Sequence, residues 1–308
     1  MGDLEYDRFG PWVIEITDDD PPSPLFLLHL TRPETPLLNI KIPRNIEHRN
    51  AHAGMNLYDY LVSLYNDDLV ILQRIGDGVR EHTFRYRDIQ YLRYSEELLK
   101  GTVHLGLGDQ TFTLPFNTVS SSTMEKLVAL IRERYCAMPP QAPLLEEPAQ
   151  PIDGLSFYFN GLLLKRELYE PQYCLLAAQA DKPVASSEPV SLVEAFFTIV
   201  GKSLLESLHW SDGRELKIIT RGQDYKYKWQ AVYAKEYTYL PLEKIRSFRW
   251  QHDPRHTAVC RLDIETAAGP LSFVFTEDNP FIAGYTQFLA AVSSSFKQEE
   301  AFTLQQLN

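Results

Sequence analysis

Tyr86-Arg-Asp-Ile-Gln-Tyr-Leu-Arg-Tyr94 and Leu242-Glu-Lys-Ile-Arg-Ser-Phe-Arg-Trp250 align without a gap at an offset of 156 residues, with Ile89 falling on Ile245. Both carry the pattern Ile-x-x-[Leu/Phe]-Arg-[Tyr/Trp]. The match extends in both directions. Upstream, Ser63-Leu64-Tyr65 precedes an apolar run from Asp68 to Gly76, as Ser207-Leu208-His209 precedes one from Glu215 to Gly222. Downstream, Val103, Leu105 and Leu107, then Phe112, Leu114 and Phe116, alternate in the first half. Cys260, Leu262 and Ile264, then Leu271, Phe273 and Phe275, alternate in the second. Apolar residues at i, i+2 and i+4 put one strand face on a core. Turn sequences separate the two strands of each pair: Gly106-Leu-Gly-Asp-Gln110 and Ala267-Ala-Gly-Pro270.

Each half ends in a helical pattern. Over Thr118 to Tyr135, Met124, Leu127, Val128, Leu130 and Ile131 recur at i, i+3, i+4 and i+7. Over Asn279 to Phe296, with Pro280 in the first turn, the stripe is Phe281, Tyr285, Phe288, Leu289 and Val292. Between the halves, five of the chain's twenty prolines fall at 139, 140, 143, 148 and 151. Proline fixes φ and removes a donor, so neither helix nor central strand continues through them. The expected division is therefore a module over 1–137 with an N-terminal hairpin extension, a proline-rich linker over 138–152, and a second module over 153–308 with an inserted helix.

This order of strands, the Ile-x-x-[Leu/Phe] strand, the Gly-turn strand pair and the closing helix resembles the pleckstrin-homology-like superfold, especially the small bacterial PH-like and GRAM-like domains, in two tandem copies. The resemblance covers about Leu61 to Tyr135 and Leu205 to Phe296. It implies an α+β, mainly β class: two bent antiparallel sheets, each closed by a C-terminal amphipathic helix. It also implies binding of lipids, peptides or proteins rather than catalysis.

Outside those stretches, Trp12–Ile16 with Phe26–Leu30, and Leu162–Leu168 with Cys174–Ala178, are expected as two strand hairpins. Ser191-Leu-Val-Glu194 has capping-box form and predicts a buried helix to Leu205. Asn56 to Tyr65 fits a helix or a strand.

Motifs for chemistry fail one by one. Gly201-Lys202-Ser203 lacks the Gly that a phosphate loop needs five positions earlier, where Phe196 stands. Gly106-x-Gly108 has no third Gly, and Gly154-Leu-Ser156 is not followed by the second Gly of a nucleophile elbow. His48 and His52, and His252 and His256, have i, i+4 spacing, but Asn50 and Pro254 interrupt any helix that would align them on a metal. Asp18-Asp-Asp20 before Pro21 and Pro22 reads as a solvated turn. Cys136, Cys174 and Cys260 form no disulfide or metal framework. The expectation is no metal, no cofactor and no enzymatic activity. Without a signal-like N-terminus or a long apolar run, the default location is cytoplasmic.

Net charge is −11, which argues against nucleic acid as a bulk partner. The charge is unevenly spread: residues 1–150 hold 14 Lys and Arg against 22 Asp and Glu, yet Arg214 to Arg261 holds 11 against 5. Within that stretch Arg221, Lys226, Lys228 and Lys235 interleave with Tyr225, Tyr227 and Trp229. If the run is a strand, Lys226 and Lys228 share a face. These four are the candidates for an anion-binding or lipid-headgroup face. In PH-like domains that bind phosphorylated headgroups, basic residues of the first hairpin do the binding, which is what the resemblance implies here. Weak contact with anionic lipid is one expected partnership. The leading expectation is a protein partner, bound along a strand edge or beside a C-terminal helix. An enzyme with a site between the modules is the remaining alternative.

Overall fold

The computed structural model describes residues 4–108, 110–135, 152–185 and 201–306. The chain is mainly β, built of several antiparallel sheets, none closed into a barrel, with a C-terminal helix. It divides into two compact units. The first comprises residues 1–89, 96–104 and 112–137; the second comprises 90–95, 105–111 and 138–308.

The first unit opens with the one-turn helix α1 (Leu4–Asp7), the short strand β1 (Ile14–Glu15) and α2 (Pro24–Leu27). Strands β2 (Leu38–Pro43), β3 (Tyr58–Leu64), β4 (Asp68–Ile75) and β5 (Gly78–Arg85) follow as a meander, and the sheet order is β1-β2-β3-β4-β5. Gly76, at φ +62°, takes the first position of the two-residue turn between β4 and β5, where a primed hairpin needs left-handed backbone. Phe9, Phe26, Leu57, Tyr58, Leu61 and Leu72 pack into one buried cluster. A 3-10 turn at Tyr86–Asp88 leads into β6 (Ile89–Glu97), β7 (Lys100–Leu107) and β8 (Gln110–Asn117), and helix α3 (Ser121–Tyr135) closes the half. Its buried residues Met124, Leu127, Val128 and Ile131 are the expected stripe.

The second unit begins with helix α4 (Phe157–Tyr169), then β9 (Cys174–Gln179), β10 (Lys182–Val184), β11 (Lys202–Leu204), β12 (Ser207–Ser211), β13 (Glu215–Thr220), β14 (Tyr225–Tyr227) and β15 (Lys235–Pro241). A 3-10 turn at Leu242–Lys244 leads into β16 (Ser247–His252), β17 (Val259–Thr266), β18 (Gly269–Thr276) and α5 (Ile282–Gln306). Residues 90–95 of β6 stand beside β15 in the order β6-β15-β13-β12-β9; β10-β11-β14 and β16-β17-β18 are separate three-stranded sheets. The core is assembled from Leu262, Ile264, Leu271, Phe273 and Phe275 on β17 and β18, Tyr285, Phe288, Leu289 and Val292 on α5, and Leu216, Ile218 and Leu240 on β13 and β15. The alternating strands and the helical stripe of the second half are thus where the pattern places them.

Four local expectations need correction or completion. Leu162–Leu168 is helical. Ser156 caps α4 by accepting from the Phe159 N–H, and Phe159, Leu162, Leu163 and Arg166 recur at helical spacing, which outweighs the strand-like run of three leucines. Phe26–Leu30 belongs to α2 and the turn after it, since Pro24 at the first helical position presets φ. The strand partner of β1 is β2. Asn56 to Tyr65 resolves as β3. Lys202–Leu204 is a strand that follows Gly201 at φ +84°, so the helix expected from Ser191 does not reach Leu205. Its residues 191–200, the linker prolines and Cys136 lie outside the described residues.

Candidate functional site

The small sheet β10-β11-β14 positions one of the four candidate cations, Lys226. Its register pairs Ser203 with Lys226 and Leu204 with Tyr225, so the faces alternate. Leu204, Tyr225 and Val184 turn inward onto Val259 and Val274. Lys226 points the other way.

On Lys226's side lies a recess of about 340 Å³. Its floor is an internal ion pair. Glu206, with a side chain only 5% exposed, accepts from the backbone N–H of Ser156 at the start of α4 and faces Arg221 Nη2 at 3.3 Å. The Arg221 guanidinium is stacked over the rings of Tyr158 and Phe159, 4.7 and 5.0 Å from their centroids. At the mouth, Lys226 pairs with Asp181, both about 30% exposed. Leu155, Leu205 and Val232 supply an apolar wall. The recess therefore holds two cations and two carboxylates, arranged as a fixed pair within and a looser pair outside.

Lys228 and Lys235 are placed elsewhere. The strand ends at Tyr227 and the chain turns, so period two stops there. The Lys228 N–H donates to the Gly201 carbonyl at 3.1 Å, and Lys235 starts β15. Trp229 is exposed and stacked against Tyr227, with centroids 6.0 Å apart.

On the opposite face of β14 sits a cluster that sequence reasoning missed. His256 and Asp253, 3% and 2% exposed, form a hydrogen bond of 3.2 Å from Nδ1 to Oδ2. Tyr225 donates its hydroxyl to the same carboxylate at 2.6 Å and stacks its ring on His256 at 4.2 Å. Lys202 Nζ donates to His256 Nε2 at 2.9 Å and lies over the Tyr225 ring. The backbone N–H of Arg255 donates to Asp253 Oδ1. Burial pushes the Asp253 carboxyl up, but the hydrogen bonds from Tyr225, Arg255 and His256 outweigh it and hold the group below the usual carboxylate range. Burial lowers the His256 pKa, Asp253 opposes that, and the charge of Lys202 adds to it. The imidazole is thus neutral, carrying its proton on Nδ1. Both of its nitrogens are engaged, so the cluster works as a clamp joining β11, β14 and the 253–257 turn. The signal was present in part: His256 belongs to the His-x-x-x-His spacing, but His252 turns outward to Glu277 at 2.8 Å.

Asp253→Ala should lower unfolding stability by about 3 kcal/mol, because it leaves a half-buried tyrosine hydroxyl and a buried imidazole N–H without an acceptor. Denaturant titration checks this, and a loss under 1 kcal/mol would contradict the clamp.

Among the described residues no group of three or more His, Cys, Asp or Glu side chains could hold a metal ion, and no helix is long and apolar enough to cross a membrane. No protein-family model matches the chain, and no curated protein matches it.

Proposed function

We propose that the chain is a non-catalytic binding or scaffolding protein, made of two PH-like modules, that recognises a protein partner by strand addition. Support for the duplicated plan comes from matching order. The run β2-β3-β4-β5, a 3-10 turn at 86–88, β6 to β8 and α3 parallels β9-β12-β13-β15, a 3-10 turn at 242–244, β16 to β18 and α5. The two 3-10 turns keep the 156-residue offset. In the second half, β14 and its sheet are the insertion.

The single observation that carries partner recognition is the edge of the first unit's sheet. β5 is eight residues long and last in its sheet, and among the described residues no strand pairs with its outer side. An unpaired edge of that length presents a row of outward N–H and C=O groups. Arg80, Glu81 and Arg85 lie on it and discourage indiscriminate pairing, so the edge favours a partner strand with complementary charge.

The β4–β5 turn closes at the Ile75–Gly78 pair, so alternate residues Gly78, Arg80, His82 and Phe84 bond inward, and Glu81 and Thr83 face outward. Thr83→Pro should remove one outward donor without touching the inner ladder. Affinity capture followed by crosslink mapping should find a partner crosslinked along 78–85 with the native chain, absent with Thr83→Pro and retained with Lys226→Ala. A partner captured equally by Thr83→Pro would remove the edge from consideration.

A further inference from the structure

The recess of the second unit supports a second binding activity, independent of the β5 edge. Its charges are balanced. A simple anion drawn to Arg221 and Lys226 meets Glu206 and Asp181 beside them, and a simple cation meets the reverse. Attraction to one member of each pair is largely cancelled by repulsion from the other. A ligand carrying both charges side by side escapes this cancellation.

The two pairs differ in how they can respond. Arg221 and Glu206 are held on several sides, by the Ser156 N–H and by the Tyr158 and Phe159 rings, and form a rigid wall. Lys226 and Asp181 touch only at the mouth and remain partly exposed. An ammonium carries three donors and a carboxylate about four acceptor sites, so a single mutual contact leaves capacity on both. A ligand carboxylate has donors left on Lys226, and a ligand ammonium has acceptors left on Asp181, without separating the pair. Next to these groups, Leu205 and Val232 offer an apolar surface. The volume, on the order of ten waters, suits a small molecule and not a lipid headgroup with its chains.

We propose that this recess binds a free α-amino acid with an apolar side chain, its carboxylate on Lys226, its ammonium on Asp181 and its side chain against Leu205 and Val232.

The test is titration calorimetry of the full chain with L-leucine as probe, beside leucine amide, which lacks the carboxylate, N-acetyl-leucine, which lacks the ammonium, and inorganic phosphate. Leucine should bind, and each blocked analogue should bind at least about tenfold more weakly, the loss of one charge-assisted contact. Lys226→Ala and Asp181→Asn should each weaken leucine by about tenfold. Their thermal midpoints should stay near the native value, since a partly exposed pair contributes little to stability. Should either variant fail to fold, the blocked analogues on the native chain decide alone. Absence of leucine binding at millimolar concentration overturns the proposal. So does N-acetyl-leucine or phosphate binding as well as leucine, which would make the recess an anion site, and so does leucine binding that both folded variants leave unchanged.

Discussion

Phe275→Ala should destabilise the second unit by about 4 kcal/mol, the largest loss expected of any single substitution discussed. The ring is fully buried on β18 and lies at the centre of an aromatic cluster, with its centroid 5.4 Å from Trp250, 5.0 Å from His209 and 6.4 Å from Tyr285. Alanine removes both the transfer energy of the ring and the edge-to-face contacts, and these neighbours are fixed in strands and in α5, so the void cannot close. Guanidinium unfolding followed by tryptophan fluorescence measures the loss, since Trp250 and the fully buried Trp210 belong to this unit. A change below 2 kcal/mol would show that the site collapses and that the core is looser than its geometry implies.

The second large effect is on pH. His209 is wholly buried on β12 between Phe273, Phe275 and Tyr285; its Nδ1 meets the Tyr285 hydroxyl at 3.1 Å, and its Nε2 has no hydrogen-bond partner among the described residues. Burial lowers its pKa to about 3. The ordinary value is near 6.5, so below that the unfolded chain takes up a proton that the folded chain refuses. The contribution to stability is complete above about pH 6.5 and is lost as pH falls, at about 1.4 kcal/mol per pH unit until the folded group itself titrates. His256 shifts in the same direction and steepens the same limb. Between pH 6 and 5, before most carboxylates titrate, stability should fall with a slope approaching one proton from His209, to which His256 adds in the same direction. His209→Leu should reduce that slope by one proton. Unfolding curves at half-unit intervals give the slope directly, and an unchanged slope in His209→Leu would mean that the imidazole is protonated in the folded state.

The strands and closing helices were legible because their signals are periodic. Leu262 and Ile264, or Phe288 and Val292, declare a face through spacing alone, and that face is buried in the structure. Segments whose signal is local and short were not legible. Leu162-Leu-Leu164 is equally a buried strand or one side of a helix, and Ser156, whose cap decides it, stands outside the run. The site divides along the same line. Arg221 and Lys226 were found through charge, but Glu206 and Asp181, which change a basic patch into a balanced recess, lie 15 and 45 positions away from their partners. The Asp253 clamp was hidden for a related reason: Lys202 and His256 are 54 positions apart, and they meet through the pairing of β11 with β14 and the stacking of His256 on Tyr225.

The second unit is not one stretch of chain. Residues 90–95 belong to it, and Arg93 reaches Glu236 on β15 at 3.2 Å, a pair 143 positions apart. Closing so long a loop adds little to the equilibrium cost, since that cost grows only as the logarithm of length. The effect falls on timing. Contacts of such separation are late to form, and a unit that depends on them folds slowly. During synthesis the 90–95 strand leaves the ribosome well before β15 exists, so this part of the second unit cannot pair until residues 235–241 have been made. Until then, an apolar strand segment containing Tyr91 and Leu92 waits without that neighbour, and transiently exposed apolar strands of this kind are what chaperones shield during synthesis.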